Sequence, residues 1–308
     1  MKASYFTEHG GPDVLTYGEL ADPVAGPGEI VIDVHAASVN AADCKVRSGA
    51  SGIKSELPYV LGRDFSGVIS AIGAGVDGFQ IGEPVFGVCD VGQEGAYAEK
   101  IAMDASLVAP KPATLSHVEA AALAATGLTA LITIEDTLHL KAGETILIQG
   151  GAGGVAGLAI QVAKHHGAHV ITTASPTNHD YLRALGADQI IDYTTQDFTK
   201  TVSDIDAVFD TVGGSVADCA FDVLKPGGRA AFIASGPQAP QPQRKDVVSL
   251  RPQVNRDRPH LERIVELVAA GVIKIPEIAT YPLSDAAAAH RVSDSRHLRG
   301  KLVLVTGA

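Results

Sequence analysis

A glycine-rich turn between an apolar segment and a helix-forming segment constrains the fold of this chain more than any other feature. Residues 145–149 form a short apolar run, and residues 150–157 follow it as Gly-Gly-Ala-Gly-Gly-Val-Ala-Gly. Gly151, Gly153 and Ala156 match the dinucleotide fingerprint G-x-G-x-x-A. Glycine permits the tight turn and a close approach of backbone N–H groups to a pyrophosphate, which the positive end of a helix stabilises. We therefore expect a bound dinucleotide at Gly151, Ala152, Gly153, Gly154 and Val155.

The chain beyond residue 144 alternates between strand-forming and helix-forming segments, which is typical of a parallel sheet with crossover helices. After the first strand, further strands are predicted at 169–173, 189–191, 207–210 and 229–234, and helices at 152–166, 178–185 and 215–224. A helix at 257–270, a strand-like segment at 272–275 and a terminal strand at 301–305 follow. Residues 1 to about 115 are instead rich in short alternating runs and glycine turns, which predicts a small barrel or rolled sheet. A capping box at residues 116–119 opens the helix that begins the next domain.

Composition excludes several classes of function. The chain has 308 residues and a net charge of -11, with no dense Lys/Arg stripe, which argues against a nucleic-acid partner. Its three cysteines form no Cys-x-x-Cys pair, which argues against a disulfide framework or a structural zinc site. The N-terminus lacks the apolar core of a secretory signal, and no apolar run approaches the length of a membrane span. We therefore expect a cytoplasmic protein without a membrane partner.

The end of the second predicted strand indicates which nicotinamide cofactor is used. Residues 173–175 read Thr-Ala-Ser, where an NAD-selective site usually has an acid that holds the ribose 2′-hydroxyl. Without that carboxylate, Ser175 is available to a 2′-phosphate, which favours NADPH. No Lys or Arg follows Ser175 closely, so NADH stays the open alternative.

Several segments spread along the chain carry a family resemblance. They include Ser-Val-Asn-Ala-Ala-Asp at 38–43, Leu-Gly-Arg-Asp-Phe-Ser-Gly at 61–67, Asp-Thr-Val-Gly-Gly at 210–214 and Arg-Gly-Lys-Leu-Val at 299–303. The whole chain resembles the zinc-independent quinone oxidoreductases, zeta-crystallin-like members of the medium-chain dehydrogenase/reductase superfamily. The resemblance implies an α/β fold with a Rossmann doubly wound parallel sheet inserted in a GroES-like β-rich catalytic domain. The implied divisions are 1–117 for the first part of the catalytic domain, 118–255 for the Rossmann domain and 256–308 for the returning segment.

The resemblance also implies that zinc is absent. Zinc-dependent members have a cysteine in the first of these segments, Gly-His-Glu in the second and a lobe of four cysteines. This chain has Asn40 in the first segment, Arg63 within Gly-Arg-Asp in the second, and no such lobe. A cationic guanidinium does not ligate zinc, so we expect a reaction without metal.

Site roles carry over from the family residue by residue. Asn40 and Thr126 match groups near the nicotinamide and its ribose, and Val212 and Ser235 match residues that border the nicotinamide. Ser175, Tyr193 and Arg296 match the adenosine-phosphate end. The structural alternatives are a turn residue for Asn40, a half-buried strand aromatic for Tyr193 and a surface charge for Arg296. The resemblance places Tyr59 and Arg63 in the substrate pocket, and Asp43 and Arg47 have the spacing of a helical ion pair.

Together these features predict an NADPH-dependent quinone oxidoreductase that transfers a hydride from nicotinamide C4 to a quinone. One alternative is an enone or 2-alkenal double-bond reductase, which uses the same hydride geometry. Another is a non-enzymatic NADPH-binding protein with a structural or regulatory role. The family usually forms homodimers through an edge of the Rossmann sheet, and 229–234 is the candidate edge strand.

Overall fold

A computed structural model describes residues 1–52, 56–236 and 238–307, and these form two compact units. The first unit comprises Met1–Ala125, Arg256–Val265 and Glu277–Ala308, and the second comprises Thr126–Asn255 and Glu266–Pro276. The chain therefore leaves the first unit and returns to it.

The described strands and helices follow in chain order. The strands are β1 (Lys2–Phe6), β2 (Thr16–Glu19), β3 (Glu29–Val39), β4 (Tyr59–Val60), β5 (Asp64–Ile72), β6 (Pro84–Val88), β7 (Lys100–Asp104), β8 (Val108–Pro110), β9 (Thr145–Gln149), β10 (His169–Ala174), β11 (Gln189–Asp192), β12 (Ile205–Asp210), β13 (Leu224–Phe232), β14 (Val248–Leu250), β15 (Ile278–Pro282) and β16 (Lys301–Val305). The α-helices are α1 (Ala41–Arg47), α2 (His117–Ile132), α3 (Gly154–His165), α4 (His179–Ala184), α5 (Phe198–Thr201), α6 (Ser215–Asp218), α7 (Arg258–Ala269) and α8 (Ala286–Asp294).

The first unit is built on the long strand β3. β3 pairs antiparallel with β5, β7 and β16, in a sheet of order β15-β16-β3-β5-β6-β8. Ile30, Ile32 and Val34 alternate along β3 and enter the main core cluster of this unit with Phe65 and Tyr97. β2, β1 and β4 form a smaller antiparallel sheet. The β-rich character predicted for this part of the chain is confirmed.

The second unit contains a six-stranded parallel sheet of order β11-β10-β9-β12-β13-β14. Numbered from its own first strand, β9, this order is 3-2-1-4-5-6, the order of doubly wound dinucleotide-binding sheets. Ile146, Leu147 and Ile148 in the central strand are fully buried, which explains the continuous apolar run in the sequence. The predicted doubly wound sheet is confirmed.

Helix α2 begins at the predicted capping box. The Ser116 backbone N–H donates to Glu119 Oε2 at 2.8 Å, and the Glu119 N–H donates to Ser116 Oγ at 3.2 Å. With the π-helical turn that follows it, α2 forms a helix at His117–Thr137 that is long and apolar enough to cross a membrane. By length and composition alone, this helix corrects the expectation that no apolar segment approaches the length of a membrane span. The most apolar window of this helix is 72 % buried inside the structure, and buried core helices have the same composition.

Two predicted elements differ in the structure. Residues 272–275 form no strand, because the Lys274 N–H donates to Gln161 Oε1 at 2.8 Å and this segment belongs to the second unit. The predicted helix at 215–224 ends at Asp218, continues as a 3-10 turn and gives way to β13 at Leu224. Part of the predicted returning segment 256–308 does not return: residues Glu266–Pro276 belong to the second unit.

The edge strand of the parallel sheet is not the one that was predicted from the sequence. Arg229, Ala230 and Ala231 in β13 pair in parallel with Val248, Ser249 and Leu250 in β14. Strand β13 therefore lies inside the sheet, and the prediction that 229–234 forms the edge is wrong. A three-residue strand after a proline-rich loop carries too little pattern to be predicted from sequence.

Candidate functional site

The glycine turn after β9 is held tightly against the neighbouring strand β10. Gly150 has a φ of +78°, and its N–H donates to Thr173 Oγ1 at 3.0 Å. The Gly151 N–H donates to the Thr173 carbonyl at 3.1 Å. A Cβ atom on Gly151 would lie 2.3 Å from Thr172 Oγ1, so no larger residue fits without rearrangement of β10.

The next part of the turn opens the N-terminus of helix α3. Gly153 is the N-cap residue and makes no side-chain capping bond, so the first N–H groups of the helix lack partners within it. A Cβ atom on Gly153 would approach only the Gly150 carbonyl, at 3.4 Å. The packing of the protein therefore does not require glycine here, whereas close approach of a pyrophosphate does. Ala152, Gly154 and Val155 are half-buried beside it, and the whole turn fits a dinucleotide.

Two predicted adenosine-end residues lie next to each other at the carboxyl edge of the sheet. Ser175 directly follows β10 and Tyr193 directly follows β11, and the last paired residues of these strands are Ala174 and Asp192. Ser175 Oγ accepts a hydrogen bond from Asn178 Nδ2 at 3.2 Å. Tyr193 is 54 % exposed and stands after the strand, so it is not a half-buried strand aromatic. Both side chains are available to a ligand at this edge.

On the other side of β9, the segment after β12 is fixed by a buried carboxylate. Asp210 is fully buried and accepts hydrogen bonds from the N–H groups of Val212 at 3.1 Å and Gly213 at 3.0 Å. Burial raises the pKa of Asp210. These bonds present the Val212 side chain, which is 44 % exposed, at the carboxyl edge.

Ser235, after β13, borders a cavity of about 420 Å³. The other lining residues are Gly214, Asp218, Ala234, Gln238 and Pro240. Ser235 Oγ is buried and makes no hydrogen bond to any described residue. An unpaired buried hydroxyl is unusual in a protein interior, and it suits a position that contacts a polar ligand.

Gln149 is a residue of this edge that the sequence analysis missed. It ends β9 opposite Asp210 of β12, its side chain is fully buried, and neither of its amide atoms has a partner among the described residues. The only signal in the sequence was a polar residue at the end of an apolar strand. Gln149 lies immediately before the glycine turn, so it belongs to the candidate cofactor site.

Asn40 does more than form a turn in the first unit. It is the N-cap of α1, and its backbone N–H donates to Asp43 Oδ2 at 2.8 Å. Its side-chain amide donates to Asp64 Oδ1 at 2.9 Å and accepts from Lys301 Nζ at 2.8 Å. Asp64 and Lys301 are buried, and burial raises the pKa of Asp64 and lowers that of Lys301. The amide of Asn40 is therefore held in one orientation.

Two further predicted cofactor residues have contrasting surroundings. Thr126 is buried, at 3 % exposure, where the chain enters the second unit. Arg296 is exposed after α8 and has a φ of +58°, in the left-handed region. Their contact with a cofactor stays a prediction.

Tyr59 and Arg63 both contact the carboxylate of Glu94, a residue that was not predicted from the sequence. Tyr59 Oη donates a short hydrogen bond to Glu94 Oε2, and Arg63 Nη2 lies 3.1 Å from Glu94 Oε1. Burial and Glu94 both raise the pKa of Tyr59. Gly62 has a φ of +98°, and a Cβ atom there would lie 2.4 Å from the Tyr97 ring, so glycine is required before Arg63. Glu94 stands in a loop, where no local pattern marks it.

The predicted ion pair between Asp43 and Arg47 is wrong. Arg63 Nε lies 3.8 Å from Asp43 Oδ1, whereas Arg47 Nη2 pairs with Asp294 Oδ2 at 2.8 Å. Arg47 Nη1 also donates to His290 Nδ1 at 2.8 Å. The helical spacing was right, but residues distant in sequence supply the partners of both side chains.

Among the described residues, no group of three or more His, Cys, Asp or Glu side chains could hold a metal ion. Cys44 and Cys89 are buried, and burial raises the pKa of both thiols. The expectation of a zinc-free reaction stays a prediction.

The chain matches known families and structures over most of its length. Residues 26–113 match the alcohol dehydrogenase GroES-like domain, and residues 185–304 match the zinc-binding dehydrogenase family. A quinone oxidoreductase structure from Coxiella burnetii superimposes with a TM-score of 0.92 at 35% identity, covering 99% of both chains. The Escherichia coli quinone oxidoreductase complexed with NADPH gives a TM-score of 0.90 at 28% identity, covering 99% of this chain and 100% of that one. The 2-methylene-furan-3-one reductase of Solanum lycopersicum is 36% identical, covering 85% of this chain and 69% of that protein.

The doubly wound sheet, its glycine turn and the GroES-like unit define an oxidoreductase with a nicotinamide cofactor. The chain belongs to the medium-chain dehydrogenase/reductase superfamily, within its quinone oxidoreductase branch. The predicted family, fold class and enzymatic nature are confirmed.

Proposed function

We propose that this protein is an NADPH-dependent quinone oxidoreductase that transfers a hydride to the quinone without zinc. The glycine turn carries this proposal, because packing requires glycine at Gly151, whereas Gly153 leaves open space that a pyrophosphate would fit. The similarity to a quinone oxidoreductase complexed with NADPH supports the same cofactor.

The residues of the second unit would hold the cofactor along the carboxyl edge of the sheet. The turn and the N-terminus of α3 bind the pyrophosphate, and Val212, Ser235 and Gln149 suit the nicotinamide end. When bound, the nicotinamide supplies a hydride, which carries two electrons. A quinone that receives this hydride and one proton becomes a hydroquinone, so the reaction consumes one proton for each NADPH.

The surroundings of Ser175 support NADPH over NADH. Asp192 ends the neighbouring strand β11, and its carboxylate accepts hydrogen bonds within its own loop from Thr194 and Thr195. A 2′-phosphate beside Ser175 and Tyr193 would therefore meet hydroxyl groups.

An enone or 2-alkenal reductase is the second candidate, and the tomato relative favours it. In that reaction the hydride adds to the β-carbon, the double-bond electrons move toward the carbonyl oxygen, and a proton completes the saturated ketone. Asn40 and the pair of Tyr59 and Arg63 would orient either acceptor.

Three finer statements belong to the same proposal. The enzyme acts in the cytoplasm on a small molecule, with neither nucleic acid nor membrane as a partner. It forms a homodimer through strand β14, where Val248 is 50 % exposed. It uses no zinc, since Arg63 carries a positive charge where a metal would need a ligand.

Product analysis with a labelled cofactor tests this function: a reduced quinone is detected as hydroquinone, because deuterium on its hydroxyl groups exchanges with water, whereas a reduced enone keeps the label on carbon. Purified protein is incubated with C4-deuterated NADPH and either benzoquinone or cyclohexenone, and the products are analysed by mass spectrometry. We expect hydroquinone formation, and deuterium on the β-carbon if the enone is also reduced. Binding of NADPH without product from any quinone or enone would refute the proposal.

A further inference from the structure

The side chain of Gln149 is fully buried at the end of β9, and neither atom of its amide has a hydrogen-bond partner among the described residues. Buried polar atoms are almost always paired, because an unpaired buried amide costs free energy. In another buried glutamine of the second unit, Gln161, Oε1 accepts from the Lys274 N–H at 2.8 Å and Nε2 donates to the Gly157 carbonyl at 3.2 Å. The packing of the protein explains the amide of Gln161 but not that of Gln149.

The polar neighbours of Gln149 are committed to other hydrogen bonds. Asp210 pairs in register with Gln149, and both of its carboxylate oxygens accept backbone N–H groups from the loop that follows β12. On the side of β10, Thr173 Oγ1 accepts the Gly150 N–H at 3.0 Å. Thr211 Oγ1 donates to the Gln149 backbone carbonyl at 2.7 Å and not to its amide. The amide is therefore able to turn about its side-chain bonds without breaking a hydrogen bond.

Gln149 lies where the strand order of the parallel sheet reverses. β9 has β10 on one side and β12 on the other, and doubly wound sheets bind ligands in the crevice at the carboxyl ends of such strands. The predicted adenosine end, at Ser175 and Tyr193, is on the β10 side, and the predicted nicotinamide end, at Val212, is on the β12 side. The glycine turn for the pyrophosphate begins directly after Gln149. The next group of a dinucleotide toward β12 is the ribose of its nicotinamide half, so this ribose is expected nearest to Gln149.

The chemistry of the unpaired amide matches a ribose. A glutamine amide offers a donor nitrogen and an acceptor oxygen side by side, and each hydroxyl group of a ribose diol both donates and accepts. We propose that Gln149 turns its amide toward the bound cofactor and forms hydrogen bonds with the hydroxyl groups of the nicotinamide-side ribose. This inference rests on the proposed function and adds a binding residue to its cofactor site, entirely within the second unit. The carboxamide of the nicotinamide ring has the same donor and acceptor groups but lies one group further from the pyrophosphate.

The test uses three ligands that grow by one group at a time: ADP, ADP-ribose and NADH. Calorimetry gives their dissociation constants for the wild type and for Gln149→Met, which keeps the length of the side chain but has no amide. We expect Gln149→Met to weaken ADP-ribose binding about fivefold or more, because the ribose loses its partners, and to leave ADP binding unchanged. The gain in affinity from ADP-ribose to NADH should be the same in both proteins.

Thermal unfolding without ligand separates binding from packing. Gln149→Met should raise Tm by about 1 °C or more, because it removes an unpaired buried amide. The matched control, Gln161→Met, removes a paired amide, so it should lower Tm and leave the ratio of ADP-ribose to ADP affinity unchanged. A lower Tm in Gln149→Met would show that its amide is paired in the free protein and would overturn the inference.

Two other binding results would also overturn the inference. An unchanged ratio of ADP-ribose to ADP affinity in Gln149→Met would assign the amide to internal water, and a loss seen only between ADP-ribose and NADH would assign it to the nicotinamide carboxamide. A crystal structure of the wild type with ADP-ribose needs no variant: we expect a ribose hydroxyl within about 3.2 Å of the Gln149 amide, and a water molecule in its place would contradict the proposal. The proposed function fails separately, if no quinone or enone is reduced, because these measurements need no acceptor.

Discussion

Gly151 packs so closely against Thr172 that a Cβ atom on the glycine would lie 2.3 Å from the threonine Oγ1. Two residues later, Gly153 has no neighbour closer to such an atom than a carbonyl oxygen at 3.4 Å. One glycine therefore serves the fold, and the other leaves room for a ligand.

This contrast predicts that alanine has opposite effects at the two positions. Gly151→Ala should destabilise the protein by about 1–3 kcal/mol through overpacking against β10. Gly153→Ala should leave thermal stability without cofactor nearly unchanged and weaken NADPH binding about tenfold or more, because the methyl group occupies pyrophosphate space. Thermal unfolding with and without NADPH measures both effects. Equal loss of stability in the two variants would contradict this interpretation of the turn.

Cofactor preference should depend on the charge at Ser175. Ser175→Asp should weaken NADPH binding by about tenfold or more, because a carboxylate would face the 2′-phosphate, and should leave NADH binding intact or improved. The matched variant Ser175→Ala should weaken NADPH binding less than Ser175→Asp does, because it removes one hydrogen bond without adding a negative charge. Dissociation constants for both cofactors provide the test. An unchanged NADPH affinity in Ser175→Asp would place the 2′-phosphate elsewhere.

The buried His290 should make the protein sensitive to acid. Its Nδ1 accepts from Arg47 and its Nε2 lies 3.2 Å from Tyr97 Oη, and burial lowers its pKa from 6.5 to about 4. In the unfolded state His290 binds a proton below about pH 6.5, whereas in the folded state it stays neutral down to about pH 4. Protonation therefore favours the unfolded state, and stability is lost as the pH falls from 6.5 to about 4. Between about pH 7 and about pH 5, the contribution from this group should fall by about 2 kcal/mol.

The matched variant for this test is His290→Gln, which keeps an acceptor for Arg47 and a donor for Tyr97 but does not titrate. Urea unfolding at both pH values should show a smaller acid loss in this variant than in the wild type. His297→Gln changes an exposed histidine and should retain the wild-type loss. The same acid loss in His290→Gln and the wild type would show that another group titrates.

Local patterns were enough to predict the second unit. The apolar run of β9, the glycine turn and the capping box at Ser116 and Glu119 involve neighbours in sequence, and their geometry follows from short-range sterics and hydrogen bonding. Five of the six strands of the parallel sheet then follow from repeated strand–helix units. The short edge strand β14 had no such pattern, and its pairing with β13 comes from tertiary packing.

Tertiary partners were the part that the sequence did not reveal. Asp43 and Arg47 are one helical turn apart, yet they pair with Arg63 and with Asp294, and nothing near them in sequence indicates this. Glu94 contacts Arg63 from a loop that has no recognisable pattern. Gln149 was not predicted, because it ends an apolar strand of the kind that usually forms only core. The family resemblance identified Arg63 and Tyr59 by position, but only the structure placed them around one carboxylate.

The most direct test of the account is NADPH oxidation by purified, chelator-treated protein with benzoquinone, followed in parallel with NADH and with the Gly153→Ala variant. We expect turnover to continue after the metal is removed and to be faster with NADPH than with NADH. In Gly153→Ala, we expect turnover to fall by about the same factor as NADPH affinity. Activity that disappears with the chelator and returns with zinc, or that does not depend on Gly153, would contradict a zinc-free reductase built on this glycine turn.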